Sequence, residues 1–459
     1  MGGTDEKVLL AILKNFRPAK LFEFSKKESS TRKDARIYQR DEHSLSRKNI
    51  SEHALKVLYR LHNAGFEAYL VGGAVRDSLL GLKPKDFDVA TNAHPEEICE
   101  LFRNARQIGR RFKLVHVRFG REIIEVATFR AAPQEQADGA SVSEQGRILR
   151  DNVYGELVDD AWRRDFTINA LYYNIADFTI VDYVGGFEDL QAKNLRLIGD
   201  VNKRYVEDPL RLLRAIRFAA KLGVNIEKDT EQAFSQYGKL LLDISPARMF
   251  DELVKLFHCG AGVTAFRLLN RYDLMEVLFP CCADLKNTEL FDEFMTMIER
   301  VAGNTDERIG QDKSVTPAFV FAAILWVPQR NALRQLADRD WSAFDKEQRA
   351  CDLAIEQQLE RIAIPRRFTS YIREIWTLQK KFDKLTPKRV ERLFSHRRFR
   401  AAYDFLLLRH QSGEDVAEQV QWWTQYEQGT AESRAQMLDA LSTNRPKRRR
   451  RKNPKTKRQ

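Results

Sequence analysis

Asp86 and Asp88 stand two residues apart at the start of an apolar run. On a strand, residues i and i+2 face the same side, so the two carboxylates converge. Like charges held that close need a counter-ion. A hard divalent cation with oxygen ligands supplies one, and Mg²⁺ commonly takes its remaining oxygens from a substrate's phosphates. One short helix earlier, Gly72-Gly73 separates an apolar strand from a helix, with Arg76 in its first turn. Two glycines let a backbone approach a ligand closely and free amides for an anion. Taken singly, the glycines fit an ordinary strand–turn–helix and the acids a solvated loop. Together within residues 70–91 they point to a centre that handles phosphate beside a metal.

Three later clusters could complete such a centre. Glu125 interrupts the apolar run Ile123–Thr128. It is either a third metal ligand or the wet-side residue of an alternating strand, since an unpaired buried carboxylate is costly. Arg163-Arg164-Asp165 offers two cations for a polyphosphate and an acceptor for a ribose hydroxyl or a place near the metals. In Glu207-Asp208-Pro209-Leu210-Arg211, Asp208 is expected as an N-cap with Pro209 at the first helical position. Asp208 and Arg211 then share a face, able to read a base edge or to form a plain i,i+3 ion pair. His116, inside a strand, is read as a packed residue.

The elements that must position these groups alternate up to about residue 195. Strands are expected at Ala68–Val71 and Phe87–Ala90, helices at Val75–Leu80 and Pro95–Phe102, and a hairpin from Leu114–Phe119 and Ile123–Phe129. Residues 131–149, rich in Ala, Gln, Ser and Gly, are expected as a mobile loop. Beyond 205 the period becomes helical, as in Leu210, Leu213 and Ile216. The fold class is α+β: a head with a mixed or antiparallel sheet and helices, then an all-α neck and body with a disordered basic tail. The expected divisions are an N-terminal arm (1–50), a catalytic head (51–199), a neck that recognises the base (200–265), a helical body (266–430) and a tail (431–459).

Charge distribution sharpens this. The 459 residues carry a net +12, but residues 445–459 alone hold +10 and residues 1–50 hold +5, leaving −3 for 51–444. The body is near neutral with basic ends. The apolar run Ala318–Val327, between Pro317 and Pro328, is too short to span a bilayer and is expected as a core helix. The N-terminus lacks a secretory pattern, and five scattered cysteines suggest neither a disulfide framework nor a zinc site. No HExxH, GxxxxGK[ST] or GxGxxG occurs. A cytoplasmic, non-membrane protein is expected.

Gly72-Gly73, Arg76-Asp77, Asp86-x-Asp88, Arg163-Arg164-Asp165 and Glu207-Asp208-x-x-Arg211 resemble, in order, the motifs of the class II nucleotidyltransferases. That family comprises CCA-adding tRNA nucleotidyltransferases and bacterial poly(A) polymerases. Gly109–Val117, Phe399–Phe405 and the basic tail resemble the poly(A) branch, although Gln107 replaces its usual aliphatic residue. The resemblance implies template-independent addition of AMP from ATP to RNA 3′ ends. Asp86, Asp88 and Asp165 would be catalytic, and Asp86, Asp88 and Glu125 would bind metal, with two Mg²⁺ expected. Gly72, Gly73, Arg76, Arg130, Arg163, Arg164, Asp208 and Arg211 would hold the nucleotide. RNA is the expected partner, with RNA-decay or RNA-chaperone proteins as candidates beside it and a monomer as the expected state. The alternatives are CCA addition and an RNA-binding adaptor with an inactive head. Arg366-Arg367, Lys380-Lys381 and Arg397-Arg398-Phe399-Arg400 are body candidates for RNA contact. Deleting 445–459 should weaken RNA binding and flatten its salt dependence, measured by anisotropy across a salt series. Addition to a saturating short primer should survive.

Overall fold

The computed structural model describes residues 34–109, 113–131, 140–142, 148–151 and 153–443. The tail 445–459 and Arg110-Arg111-Phe112 of the poly(A)-branch block lie outside them. The chain divides into two compact units, residues 1–244 and 245–459.

The first unit is built on an eight-stranded sheet. Its strands are β1 (Arg36–Tyr38), β2 (Ala68–Val71), β3 (Asp88–Thr91), β4 (Ala105–Ile108), β5 (Leu114–Phe119), β6 (Glu122–Thr128), β9 (Leu171–Asn174) and β10 (Ile180–Asp182). The spatial order is β1-β10-β9-β2-β3-β6-β5-β4. Every pairing is antiparallel except β3 with β6, which run parallel. Antiparallel neighbours need only a hairpin, as between β5 and β6. The parallel pair needs a longer crossover, here α3 (Pro95–Leu101) with β4 and β5.

Alternation fixes which face is core. Val115, Val117, Ile124 and Val126 are fully buried, and α3 packs behind β5. The helix α1 (Glu52–Asn63), capped by Ser51, packs on β2, β3 and β6 and buries Val57, Leu58 and Leu61. On β5 and β6 the intervening residues, His116 and Glu125 among them, stay partly or fully exposed. A one-residue slip would exchange the two sets, so burial locks the register. At the other end of the sheet, Tyr69, Val71, Ala90, Tyr172 and Val181 cluster with Leu157 and Ala161 of α4 (Leu157–Arg163).

Several sequence expectations need correction. Residues 34–50 are part of the head rather than a loose arm. β1 pairs with β10, Tyr38 stacks on Phe187 at 4.0 Å, and Leu45 and Ile50 are buried. Part of the expected loop 131–149 pairs instead as β7 (Ala140–Val142) with β8 (Ile148–Asp151). A helix at α2 (Gly73–Leu79) begins two residues early. The apolar run 318–327 is split at Leu325 into helices Pro317–Ile324 and Trp326–Gln335. Pro328 falls in the first turn of the second helix, where its missing N–H costs nothing.

The second unit is helical. Helix Leu290–Gly310 buries Phe294, Met297, Ile298 and Val301. An aromatic cluster gathers Phe382, Phe399, Tyr403, Trp423 and Tyr426. Met437, Leu438 and Leu441 of helix Ala431–Thr443 pack against it. That apolar stripe makes 431–443 a helix of the body, where disorder was expected.

Backbone crowding marks one junction in the first unit. A Cβ on Gly186, the first residue of α5 (Gly186–Gln191), would sit 2.1 Å from the Thr167 carbonyl oxygen. Gly186→Ala should therefore cost about 3 kcal/mol and lower the melting temperature measured by calorimetry. Gly81→Ala, at φ +73° in open space, should cost only about 1–2 kcal/mol.

Candidate active site

The catalytic candidates meet at the parallel pairing. Asp88 is the register neighbour of Glu125 on one side and Val71 on the other, and registered residues face the same side of a sheet. Burial, then Glu125 and Asp86, push the Asp88 carboxyl up to about 6, while Arg164 works against them. Two acids thus act on one half-buried carboxyl. That is the electrostatic signature of a place for a cation, and the oxygen-only donor set suits Mg²⁺. No group of three or more potential ligands is assembled for a metal among the described residues, so the fit rests on Asp86 and Asp88, with Glu125 alongside. Glu125 is half exposed, and its Oε1 lies 3.2 Å from His116 Nε2.

Gly72 forms the wall beside Asp88. Its φ of +73° suits glycine, and a Cβ there would lie 3.9 Å from Asp88 Oδ2 and 3.6 Å from Arg164 Nη1. Gly73 opens α2. Arg164 is held from behind. Its Nε donates to Tyr172 Oη at 2.8 Å and to Asp160 Oδ2 at 3.1 Å, and its Nη2 donates to the same carboxylate at 2.9 Å. Burial disfavours the charge, but Tyr172 and Asp160 outweigh it and hold the pKa above its ordinary value. Nη1 faces Gly72 and makes a long contact, 3.5 Å, to the Asn169 carbonyl oxygen.

Behind Arg164 lies a cluster of arginines. Burial, then Arg130 and Arg204, push Arg163 down to about 9, and Arg211 adds to the effect. Burial and Arg211 push Arg204 down to about 10. Glu207 accepts from Arg204 Nη1 at 2.8 Å and from Arg211 Nη1 at 3.0 Å. These two arginines outweigh the burial that would raise its pKa and hold it low.

The helix start at Asp208 comes one residue later than expected. Asp208 ends α6 (Val201–Glu207) in an extended conformation, as a residue before proline prefers, and α7 (Leu210–Leu222) follows Pro209. The Asp208 carbonyl, rather than a capping side chain, accepts the Arg211 N–H at 3.1 Å.

Two predicted site residues are placed differently from the rest. Arg76 is buried against its neighbour: Nε and Nη2 donate to Asp77 Oδ1 at 2.8 and 2.6 Å, and Nη1 donates to Asn169 Oδ1 at 2.5 Å. Asp165 is not among the charges that act on Asp88. Its Oδ1 accepts from Asn169 Nδ2 at 3.0 Å and the Phe166 N–H at 2.8 Å, and its Oδ2 pairs with Arg214 Nη2 at 2.6 Å. Burial is overcome by Arg214, Asn169 and Phe166, so the pKa is lowered. Asn169, Arg214 and Tyr172 therefore belong to the site's support. Sequence reasoning missed them, because a neutral amide, a helix arginine and a strand tyrosine carry no motif.

In the second unit, several cations proposed for RNA meet acids of the same unit. Arg397 and Arg398 both donate to Glu374, Arg400 pairs with Asp404 and Glu427, and Lys380 pairs with Glu347.

Three sequence profiles match the chain. They are described as the poly A polymerase head domain (residues 68–196), the probable RNA and SrmB-binding site of polymerase A (223–286) and the polymerase A arginine-rich C-terminus (340–457). Poly(A) polymerase I of Salmonella typhimurium is 46% identical over 425 residues, 91% of each chain. The chain belongs to the bacterial poly(A) polymerase family. The CCA-adding enzyme of Lactobacillus helveticus is 42% identical over only 44% of this chain, so the likeness to that branch stops short of the length that poly(A) polymerases share. A solved CCA-adding enzyme, apo form II, matches 83% of the chain with a TM-score of 0.57 at 20% identity, which shows a common fold. No helix among the described residues is long and apolar enough to cross a membrane.

The Asp165–Arg214 pair gives a test of position against chemistry. Asp165→Asn should cost about 2 kcal/mol, less than a fully buried pair because the Arg214 side chain is 38% exposed. The depressed pKa makes this contribution complete above the ordinary aspartate range, about pH 4. It is lost as pH falls below that range. Urea melts at pH 7 and pH 3 should show a large gap between the native chain and Asp165→Asn at neutrality that narrows in acid.

Proposed function

We propose that Asp86 and Asp88 hold the catalytic Mg²⁺ while Arg164, Arg163 and Arg130 receive the triphosphate of ATP. As a bacterial poly(A) polymerase, the chain is a template-independent polynucleotide adenylyltransferase. It joins AMP from ATP to an RNA 3′ end and releases pyrophosphate. One observation carries the site assignment. Acids crowd Asp88 and cations crowd Arg163, and Arg164 acts on both Asp88 and Arg130. A metal–polyphosphate relieves both excesses at once.

Bound metal would lower the pKa of the attacking 3′-hydroxyl and offset charge on the leaving pyrophosphate. The chain's own part is placement. Gly72 lets phosphate oxygens approach the backbone, and Arg164, braced by Asp160 and Tyr172, presents Nη1 without the cost of ordering a free side chain. Arginines near the α-phosphate stabilise growing negative charge in the transition state. Asp208 and Arg211, at the junction of α6 and α7, are assigned to the base edge, with Glu207 fixing the Arg211 guanidinium. Arg76 and Asp165 are assigned to positioning: through Asn169 they tie α2 to the segment that carries Arg164. RNA-decay or RNA-chaperone proteins are candidate partners of a monomeric enzyme, and five scattered cysteines that form no disulfide framework accord with a reducing cytoplasm.

Incubation with each labelled NTP and an RNA unrelated to tRNA should give long tails with ATP alone. Asp88→Asn should lose at least about a thousandfold in kcat with an unchanged melting temperature. Appreciable turnover by that variant would remove Asp88 from the metal site. CTP addition followed by a single A on tRNA would overturn the polyadenylation reading.

A further inference from the structure

One row of residues crosses six of the sheet's eight strands in register. From the β9 edge of the site it runs Tyr172, Val71, Asp88, Glu125, His116, Arg106. All six face the same side. At the Tyr172 end the row is covered by Arg164 and α4. Beyond Asp88 it opens. Glu125 is half exposed, the His116 side chain is 22% exposed, and Arg106 and its near neighbour Arg118 are exposed. The opposite face of these strands is sealed by fully buried valines and isoleucine. The open stretch is therefore a shallow polar surface leading away from Asp88, on the side opposite the arginines assigned to ATP phosphates.

His116 is more than a packed residue on this surface. Its Nε2 lies 3.2 Å from Glu125 Oε1. A carboxylate accepts, so Nε2 is the donor of this pair, and an imidazole with its proton there offers Nδ1 as an acceptor. Among the described residues Nδ1 has no hydrogen-bond donor. An oriented acceptor near a hydroxyl-activating centre suits a hydroxyl donor. Strand spacing of about 4.8 Å puts the His116 Cα about 10 Å from that of Asp88, with Glu125 between them, and Arg106 one strand further.

We propose that His116 Nδ1 accepts a hydrogen bond from the 2′-hydroxyl of the RNA's terminal nucleotide, whose 3′-hydroxyl faces Asp86 and Asp88, and that Arg106 contacts the backbone phosphate upstream. Glu125 fixes the tautomer and the ring plane. The pair selects a primer ending in ribose over one ending in deoxyribose, because only the former brings the donor. Arg106 contributes charge without that discrimination, as phosphate contacts do. This rests on the polyadenylation reading.

The test compares two oligo(A) primers identical except for a terminal 2′-deoxyribose that retains its 3′-hydroxyl. Their extension is measured at saturating ATP, and their binding by anisotropy without added metal. The native chain should favour the ribose end by about five- to tenfold in kcat/KM and in affinity, the range of one net hydrogen bond. His116→Ala should bring the ratio near one with KM for ATP unchanged. His116→Gln, which keeps a donor toward Glu125 and an acceptor, should restore part of it. Arg106→Ala should weaken both primers alike and leave the ratio intact. A native ratio near one, a ratio that survives in His116→Ala, or a His116→Ala effect confined to KM for ATP would overturn the proposal. Failure of the native chain to extend either primer would instead count against polyadenylation itself.

Discussion

Two strands that run parallel hold the acids of this head together. Because β3 and β6 pair in that sense, Asp88 and Glu125 sit side by side on one face, and Asp86 lies close enough to add its charge. The sheet pays for this repulsion with its other face, where Val89, Ile124 and Val126 are fully buried. Side-chain direction alternates strictly along a strand, so the apolar residues cannot be buried without also presenting the acids. Hydrophobic burial thereby maintains an electrostatic arrangement that would disperse if the carboxylates were free to move.

A second constraint joins separate stretches of sequence. Lys221 pairs with Asp77, Asp77 with Arg76, Arg76 with Asn169, Asn169 with Asp165, and Asp165 with Arg214. The chain of contacts begins and ends on α7, passing through α2 and the turn Thr167–Asn169. It gives buried charges their partners, as interiors require. It also fixes the segment carrying Arg164 relative to the wall formed by Gly72.

Much of this was legible from residue order. The strand–Gly-Gly–helix unit and the hairpin of β5 and β6 follow from local rules of periodicity and turn chemistry, whereas Asp86 lies just before β3 and outside the strand expected to carry both acids. What escaped was non-local. β1 is three residues long in a polar stretch, and only its pairing with β10 and the Tyr38–Phe187 stack define it. The helix Ala431–Thr443 has a weak apolar stripe that matters because an aromatic cluster awaits it. Arg76 resembles a phosphate ligand in sequence, yet its neighbour Asp77 competes for the guanidinium at a distance no motif encodes. Glu125 looked ambiguous and His116 read as packed when taken singly, and the cross-strand register made them a pair.

Helix Ala431–Thr443 also bears on how the chain ends. Met437, Leu438 and Leu441 pack against the buried cluster of Phe382, Phe399, Tyr403, Trp423 and Tyr426, and Arg434 covers the Phe394 ring at 4.6 Å. A polypeptide interrupted before 431, by a nonsense codon or a protease, would present that aromatic surface to its surroundings as an adhesive patch. One interrupted after 443 would keep it covered. Quality control would meet an aggregating fragment in the first case and a folded body in the second, although the two products differ by only 13 residues.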